Sequence, residues 1–358
     1  MNITLFISRT HGGGAERVTC NLANYLSEKG HTVEILVMSE SKDNYFVSSD
    51  VKITPLLKDT ERKNRVYNAV IRILRLHRYM RARNDVDRYI VMLPITIIMM
   101  LALHKDTKAK IIASERNDPT KYSFFIKKAL RYYAKRADGF VFQTSDALAW
   151  YIDSIAEEKT KIIPNAINPA FLQSAYTGKR EKRIIAVGRL NAQKNFQLLI
   201  DAFGAISGQF PDYTLSIFGE GSELEKLKEH ANEMKIGGKV SFPGYSNNMP
   251  EELGKSMLFV LTSNYEGMPN ALMEAMAMGL PCISTDCPCG GPRFLIEDGK
   301  NGLLVPVGDV KSLAEAIQKM LTDKGKAESI AAEAMKVREV LNPNKVYALW
   351  EKFVTSDV

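Results

Sequence analysis

Short apolar runs alternate along the chain with longer segments whose apolar residues recur at helical spacing. The short runs predict buried strands, and the segments between them predict helices packed against a parallel sheet. In the first half, strands are predicted at Ile3–Ile7, Val33–Val37, Tyr89–Leu93, Ile111–Ser114, Gly139–Gln143 and Ile162–Ile163, and a helix at Ala15–Lys29. This alternation predicts an α/β fold with helices on both faces of each sheet.

The second half repeats the alternation. Strands are predicted at Arg183–Val187, Thr214–Phe218, Val240–Phe242, Leu258–Leu261 and Pro281–Ser284, and helices at Asn195–Ser207 and Glu223–Met234. Between the halves, Pro, Asn, Gly and charged residues cluster at Asn165–Lys182, as in a linker. We therefore expect two doubly wound, Rossmann-like domains that face a cleft, the first comprising residues 1–170 and the second residues 171–341.

Length and composition agree with two domains of a soluble protein. The chain has 358 residues, of which 45% are hydrophobic and 25% charged. Its four cysteines are too few for a disulfide framework, which favours a reducing, cytoplasmic compartment. The most apolar run, Tyr89–Leu103, is interrupted by Pro94 and is too short to span a bilayer, so we interpret it as a strand followed by a helix.

The net charge of +7 arises in the first half of the chain. Arg62–Arg83 carries eight Lys and Arg residues and no acid, and Lys121–Arg136 interleaves further cations with aromatic residues. Basic amphipathic helices are typical of proteins that bind an anionic membrane surface, and two solvated helix faces are the alternative. Nucleic acid is not expected as a partner, because no recognised nucleic-acid-binding motif accompanies the charge.

Two carboxylates, Glu266 and Glu274, stand eight residues apart around a predicted helix start. Gly267 frees the backbone and Pro269 is suited to open a helix, which leaves Glu266 in a loop and Glu274 on the second turn. The backbone N–H groups of the helix start attract anions. The pattern therefore indicates a ligand that carries both hydroxyls and phosphates.

Two other segments carry candidate binding chemistry. Arg189 and Lys194 lie between a predicted strand and a predicted helix, where two cations suit a diphosphate. Gly12–Gly14 forms a glycine-rich loop, but Arg17 occupies the place of the third glycine of a dinucleotide fingerprint. Since Glu40 could serve as the ribose-binding acid of such a fold, a nicotinamide-dependent oxidoreductase remains an alternative.

The Glu266 and Glu274 segment resembles the E-x7-E signature of the retaining glycosyltransferases of family four, and Pro164–Ile167 resembles the hinge of the same enzymes. The resemblance implies the two-domain GT-B architecture. It also implies that a last helix within residues 342–358, where Asn344–Val354 carries a helical apolar stripe, returns to complete the first, acceptor-side domain.

The resemblance implies a role for each candidate residue. Glu266 contacts the donor sugar, and Arg189 and Lys194 bind the donor diphosphate, as the catalytic set. The remaining donor-binding residues are Glu274, Gly13, Gly14, Gly267, Met268, Pro269, Asn270, Gly219 and Tyr245. On the acceptor side we expect Arg116, which stands where many members have a histidine, and His11, the one histidine beside a candidate site loop.

The resemblance thus implies a retaining, metal-independent transferase that moves a hexose or N-acetylhexosamine from a UDP-sugar to a glycan, which is expected to be linked to a polyprenyl diphosphate. No Asp-x-Asp triplet is present to bind a metal, and no cofactor is expected beside the nucleotide sugar. We expect a cytoplasmic protein, peripheral on the cytoplasmic face of the membrane. A non-catalytic subunit that binds a nucleotide sugar is the second alternative.

Overall fold

The computed structural model describes residues 1–40, 45–172, 176 and 178–356, which form two compact units. Unit 1 comprises Met1–Asn165 together with Asn344–Val358, and unit 2 comprises Ala166–Pro343. Each unit is built on a parallel sheet with flanking helices, as the alternation of apolar runs predicts. The predicted α/β class, with two Rossmann-like domains, is confirmed.

The described residues of unit 1 form a seven-stranded sheet. Its strands are β1 (Asn2–Ile7), β2 (Thr32–Val37), β3 (Lys52–Pro55), β4 (Arg88–Met92), β5 (Lys110–Ser114), β6 (Gly139–Phe142) and β7 (Thr160–Ile162). Its helices are α1 (Gly14–Glu28), α2 (Arg65–Ala82), α3 (Pro94–Ala102), α4 (Phe124–Ala134), α5 (Ser145–Tyr151) and, at the end of the chain, α14 (Pro343–Thr355). The strand order is β3-β2-β1-β4-β5-β6-β7, and neighbouring strands are parallel.

The direction of the chain assigns the helices of unit 1 to two faces. The connection from β1 to β2 moves toward one edge of the sheet, whereas those from β3 to β4, β4 to β5 and β5 to β6 move the other way. Because such crossovers are right-handed, α1 covers one face and α2, α3 and α4 cover the other. On the first face α14 packs against α1, where the rings of Tyr25 and Tyr347 lie 5.4 Å apart and Trp350 is fully buried.

The described residues of unit 2 form a six-stranded parallel sheet. Its strands are β8 (Arg183–Val187), β9 (Thr214–Phe218), β10 (Val240–Gly244), β11 (Leu258–Leu261), β12 (Cys282–Thr285) and β13 (Leu303–Val305). Its helices are α6 (Phe196–Ile206), α7 (Leu224–Glu233), α8 (Met249–Lys255), α9 (Asn270–Ala277), α10 (Gly291–Leu295), α11 (Val310–Thr322), α12 (Lys324–Ala334) and α13 (Val337–Val340). The strand order is β10-β9-β8-β11-β12-β13.

Both strand orders reverse at one point, between β1 and β4 in unit 1 and between β8 and β11 in unit 2. In open α/β sheets, ligands bind outside the carboxyl ends of the strands at such a switch point. Apolar cores on both faces of the unit 2 sheet hold these strand ends in place. Among the helices that the structure describes, none is both long and apolar enough to cross a membrane.

Candidate functional site

At the switch point of unit 2, a lysine and a glutamate form an ion pair. Lys194 follows β8 and Glu266 follows β11, and Lys194 Nζ donates to Glu266 Oε1 over 2.5 Å. The hydroxyl of Ser263 donates to the same oxygen over 2.6 Å. The two charged side chains are only 15% and 9% exposed, so solvent screens their attraction weakly. Two residues predicted from separate segments of the sequence thus form one cluster.

Hydrogen bonds along the two loops keep this cluster in register. The hydroxyl of Thr262 donates to the carbonyl of Lys194 over 2.9 Å, and the N–H of Asn264 donates to the carbonyl of Gln193 over 2.8 Å. The side chain of Gln193 in turn donates to the carbonyl of Tyr265 over 3.0 Å. Because β8 and β11 are neighbours in the sheet, loops that are some 70 residues apart in sequence are joined directly.

A third loop holds Glu266 from the other side. The N–H of Glu266 donates to the carbonyl of Pro288 over 2.6 Å, and the N–H of Cys289 donates to the carbonyl of Glu266 over 2.8 Å. Gly291 approaches so closely that a Cβ there would lie 1.8 Å from the carbonyl oxygen of Gly267. The turn that contains Cys287, Pro288 and Cys289 therefore positions a candidate catalytic residue.

The second carboxylate, Glu274, is on α9, as predicted. The helix begins at Asn270, one residue later than predicted. Pro269 is therefore the capping residue before the helix and not part of its first turn. Glu274 lies on the second turn and is 5% exposed, among apolar neighbours on the same helix. Burial of a carboxylate is costly unless polar groups compensate for the lost hydration, so a buried acid beside a helix start is a candidate for ligand binding. Met268 is also buried beside this helix start.

Arg189 lies on the same loop as Lys194 and is exposed to solvent. The next residue, Leu190, donates its N–H to the carbonyl of Glu220 over 2.9 Å, which ties this loop to the one that follows β9. There Gly219 donates to the carbonyl of Gly244 over 2.8 Å at the end of β10. The ends of β8, β9 and β10 therefore form one continuous rim beside the ion pair.

Tyr245 stands at the end of this rim, directly after β10, and is 74% exposed. An exposed aromatic ring beside a binding loop is suited to stack on a planar ligand such as a nucleobase. Within the described residues, no group of three or more His, Cys, Asp or Glu side chains is arranged to hold a metal ion. Cys287, one of the buried thiols of this unit, has its pKa raised to about 12 by burial and next by the charge of Glu266.

In unit 1, the glycine-rich loop leads into α1, with Gly13 as the capping residue and Gly14 as the first helical residue. The carboxylate of Glu16 folds back over this start, so that a Cβ on Gly13 would lie 2.2 Å from Glu16 Oε2. Glu16 is buried, and Arg9 lies 3.7 Å from it. Because an acid already covers the positive end of the helix, this loop is better suited to sugar hydroxyls than to a phosphate.

Arg116, expected on the acceptor side, lies after β5 and is 8% exposed. Its Nη1 donates to Asn165 Oδ1 over 2.9 Å, and its guanidinium lies 5.1 Å from the ring centre of Trp350. Burial lowers the pKa of Arg116 to about 10, against the opposing effect of nearby Tyr347 and Glu115. Among the described residues, its Nε and Nη2 have no hydrogen-bonding partner, so two buried donors are left for a ligand.

His11, the other acceptor-side candidate, lines a cavity of about 640 Å³ in unit 1. The cavity opens at the carboxyl ends of β1 and β2. Its charged lining residues are Arg9, Arg62, Arg72, Glu40 and Asp59. Such a mixture of guanidinium and carboxylate groups offers both donors and acceptors to a polyhydroxylated ligand.

Known families cover nearly the whole chain. Residues 12–171 match the family model described as Glycosyltransferase Family 4, and residues 171–337 match the model described as Glycosyl transferases group 1. A crystal structure of HepE from Anabaena in complex with UDP and glucose has a TM-score of 0.84 at 16% identity, over 98% of both chains. TarM from S. aureus has a TM-score of 0.83 at 14% identity, over 99% of both chains. At these identities the likeness is one of fold.

Two curated relatives that match most of the chain are named for steps of bacterial glycan assembly. The chain is 28% identical, over 93% of its length and 96% of the relative, to an N-acetylgalactosamine-N,N'-diacetylbacillosaminyl-diphospho-undecaprenol 4-alpha-N-acetylgalactosaminyltransferase of Campylobacter jejuni. It is 25% identical to the lipopolysaccharide core biosynthesis glycosyltransferase LpsE of Rhizobium meliloti, over 87% and 86%. It spans only 39%, 55% and 26% of the lengths of three further relatives. The chain belongs to the group 1 and family 4 glycosyltransferases, and it has their GT-B fold.

Proposed function

We propose that this protein is a retaining glycosyltransferase that moves a hexose or N-acetylhexosamine from a UDP-sugar to a glycan. The observation that carries the proposal is the ion pair of Lys194 and Glu266 at the switch point of unit 2, with Glu274 on the adjoining helix. A cation and two carboxylates suit a ligand whose phosphates lie between a sugar and a ribose. Lys194 and Arg189 bind the diphosphate, Glu266 orients the sugar and Glu274 holds the ribose.

The reaction breaks the bond between the anomeric carbon and the diphosphate oxygen. Negative charge grows on the departing UDP, and fixed cations that face this charge lower the barrier. Lys194 already lies close to Glu266, so the leaving group and the sugar are positioned by neighbouring side chains. The acceptor hydroxyl attacks from the side that the diphosphate leaves, gives its proton to the departing phosphate oxygen, and the configuration at the anomeric carbon is retained.

A UDP-linked donor is supported by the fold relatives. The HepE structures include one in complex with UDP and one in complex with UDP-glucose. In this chain, exposed Tyr245 lies where it can stack on the base, at the end of the rim that carries Gly219. The loop of Gly267, Met268, Pro269 and Asn270 contributes the start of α9 to the donor site.

A lipid-linked acceptor is supported by the Campylobacter relative, whose name specifies a diphospho-undecaprenol substrate. In unit 1 we assign the acceptor to the cavity lined by His11 and to the two free donors of Arg116. Gly13 and Gly14, which the sequence predicts as donor-binding residues, contribute a loop that accommodates sugar hydroxyls. We propose that the enzyme reaches such an acceptor as a peripheral protein at the cytoplasmic face of the membrane.

The competing assignment as a nicotinamide-dependent oxidoreductase has less support. It needs a dinucleotide pyrophosphate at the start of α1, where the carboxylate of Glu16 lies over Gly13. It also needs a free ribose-binding acid, whereas Glu40 Oε2 accepts the N–H of Asp59 over 3.0 Å. Both groups are engaged within unit 1, in positions that disfavour the cofactor.

Thermal unfolding with UDP or NAD tests the choice of ligand. A ligand that binds only the folded protein stabilises it by about 2.7 kcal/mol at a concentration 100 times its Kd. We expect UDP to raise the unfolding temperature of the wild type and Lys194→Met to abolish most of the rise, with NAD inert. Stabilisation by NAD and not by UDP would overturn the proposal.

Release of UDP separates a transferase from a subunit that only binds nucleotide sugars. The enzyme is incubated with a panel of UDP-sugars, with and without a glycan on a polyprenyl diphosphate. We expect one donor to release UDP at a rate that depends on the acceptor. Binding of UDP without release from any donor would identify the non-catalytic alternative.

A further inference from the structure

The apolar stripe of α2 faces away from the sheet that the helix covers. Val66, Val70, Ile73 and Leu74 follow the spacing i, i+4, i+7 and i+8, which normally marks the buried side of a helix. In this structure their exposed fractions are 74%, 49%, 46% and 47%. Leu76 and Met80 of α2 are fully buried, so the helix carries apolar residues on both its buried and its exposed sides, and unit 1 presents one apolar stripe to its surroundings.

The arginines of α2 divide in the same way. Arg72 donates to the carbonyl of Met38 and to the hydroxyl of Ser39, and Arg75 binds both carboxylate oxygens of Glu61. These two side chains are engaged within unit 1. Arg72, Arg75, Arg78 and Arg81 recur at every third position of α2. Successive members of this series are offset by about 60° around the helix axis, so they cannot all lie on one side.

Three other arginines of α2 are exposed. Arg78 and Arg81 lie on or next to the side that carries the apolar stripe, and Arg65 is the first residue of the helix, on the same side as Arg72. Helix α2 therefore has an inward pair of arginines that binds the protein and further exposed arginines that border an apolar surface.

The apolar face continues over α3 and α4, which cover the same side of the sheet. His77 of α2 contacts Asp106, just after α3, over 2.6 Å. On α4, Phe124 and Phe125 are 70% and 81% exposed, and Tyr132 is 61% exposed. We name the outer surface of α2, α3 and α4 the apolar-basic face.

The charges of the apolar-basic face have one sign. Helix α2 carries five arginines and α4 carries two lysines and one arginine, whereas none of the three helices has an acid. Two acids beside the face are engaged: Glu61 binds Arg75, and Asp106 binds His77. A surface that combines exposed aromatic rings, aliphatic side chains and unopposed cations is complementary to the interface of an anionic bilayer.

We infer that the apolar-basic face docks on an anionic lipid bilayer, with Phe124 and Phe125 inserted at the level of the headgroups. The inference extends the proposed function, because it assigns the surface by which the enzyme reaches a lipid-linked acceptor. The exposed arginines attract the lipid charge, while the stripe from Val66 to Leu74 is removed from water. Arg72 and Arg75 do not contribute to lipid binding, because their guanidinium groups already bind unit 1.

Co-sedimentation with vesicles tests the inference on the full-length protein. The wild type is expected to bind phosphatidylcholine vesicles that contain about one-third phosphatidylglycerol, and to bind vesicles of phosphatidylcholine alone weakly. Each exposed cation near an anionic surface contributes about fivefold to the partition coefficient. The triple variant Arg65→Gln, Arg78→Gln, Arg81→Gln should therefore lose up to about 100-fold.

Matched controls separate this face from net charge and general hydrophobicity. The charge control replaces three exposed lysines of unit 2, Lys226, Lys311 and Lys324, by Gln. The aromatic test is Phe124→Ser with Phe125→Ser, expected to weaken binding at least tenfold, and its control is Phe46→Ser, a ring 80% exposed elsewhere in unit 1. Equal losses in test and control variants would overturn the inference, as would wild-type binding by the test variants.

Two readouts keep the inference distinct from the proposed function. Vesicle binding is measured without any sugar donor, so its result does not depend on sugar transfer. Binding without transfer would support the inference and contradict the proposed function, and transfer without binding would do the reverse. Transfer to a water-soluble acceptor analogue should be unchanged in the face variants, because none of the replaced residues belongs to the donor site in unit 2 or lines the cavity assigned to the acceptor. If the face variants instead change the oligomeric state in the absence of lipid, a second copy of the chain occupies the face and the inference is wrong.

Discussion

The ion pair of Lys194 and Glu266 predicts an unusual effect of removing a candidate catalytic residue. In the structure Glu266 neutralises the lysine that is proposed to bind the donor diphosphate. The incoming diphosphate therefore competes with the carboxylate for the same ammonium group. The variant Glu266→Gln keeps the size of the side chain and removes its charge, so UDP should bind more tightly while sugar transfer fails.

The magnitude follows from the geometry of the pair. A hydrogen bond to a charged group contributes about 1.5–3 kcal/mol, and these two side chains are only 15% and 9% exposed at a separation of 2.5 Å. Each 1.4 kcal/mol changes an equilibrium constant tenfold. Release of this competition should therefore lower the Kd of UDP by about tenfold or more. Loss of sugar orientation should lower turnover by about 100-fold.

Isothermal titration calorimetry with UDP measures the effect on binding directly. The matched variant Glu274→Gln should weaken UDP binding, because Glu274 is proposed to hold the ribose. Lys194→Met should also weaken it, since the cation itself is lost. A Kd for Glu266→Gln that equals or exceeds that of the wild type would refute the reasoning that Glu266 and the diphosphate share Lys194.

Three further predictions concern fold, pH and stereochemistry. Gly291→Ala should lower kcat at least tenfold, because the new Cβ would lie 1.8 Å from the carbonyl oxygen of Gly267 beside Glu266. The control Gly325→Ala lies in an open part of a helix and should instead raise the free energy of unfolding by about 0.5–1 kcal/mol in denaturant. Burial raises the pKa of Glu115 above its ordinary value of 4.5, so the folded protein favours the protonated form and loses stability as pH rises above 4.5. The unfolding temperature of Glu115→Gln should fall less steeply over that range, and parallel slopes for variant and wild type would contradict this assignment. Nuclear magnetic resonance of the transferred sugar should show the anomeric configuration of the donor, and inversion would exclude the proposed mechanism.

The sequence predicted most strands of the two sheets to within one or two residues, because their apolar runs are bounded by turn residues. The strands at Lys52–Pro55 and Leu303–Val305 were missed. They are only four and three residues long, and the first is half-buried, so neither has a distinctive apolar run. Short edge strands owe their form to the neighbour with which they pair.

The candidate donor residues were also found from the sequence, but their pairing was not. Lys194 and Glu266 meet because β8 and β11 are adjacent, a relation that depends on the topology of the whole sheet. The role of the Cys287–Gly291 turn depends on backbone hydrogen bonds to Glu266, which have no side-chain signature. Sequence patterns identify residue types suited to a ligand, whereas tertiary structure decides which of them meet.

The orientation of α2 illustrates a second limit of prediction from the sequence. Its apolar stripe has the spacing of a core-facing helix, yet the structure turns Val66 and Val70 outward and Arg72 and Arg75 inward. The hydrogen bonds of the two inward arginines to main-chain carbonyls and to Glu61 stabilise this orientation. Periodicity alone specifies that a stripe exists, and the partners of the polar side determine where it points.

Transfer of a labelled sugar from its UDP donor to a glycan on a polyprenyl diphosphate tests the central claim most directly, with the wild type compared with Glu266→Gln. We expect the wild type to form product, and the variant to form about 100-fold less while it still binds UDP. Product formation by Glu266→Gln at the wild-type rate would contradict the assignment of the Lys194 and Glu266 cluster as the catalytic site. Absence of product from the wild type with every donor would contradict the proposed transferase activity itself.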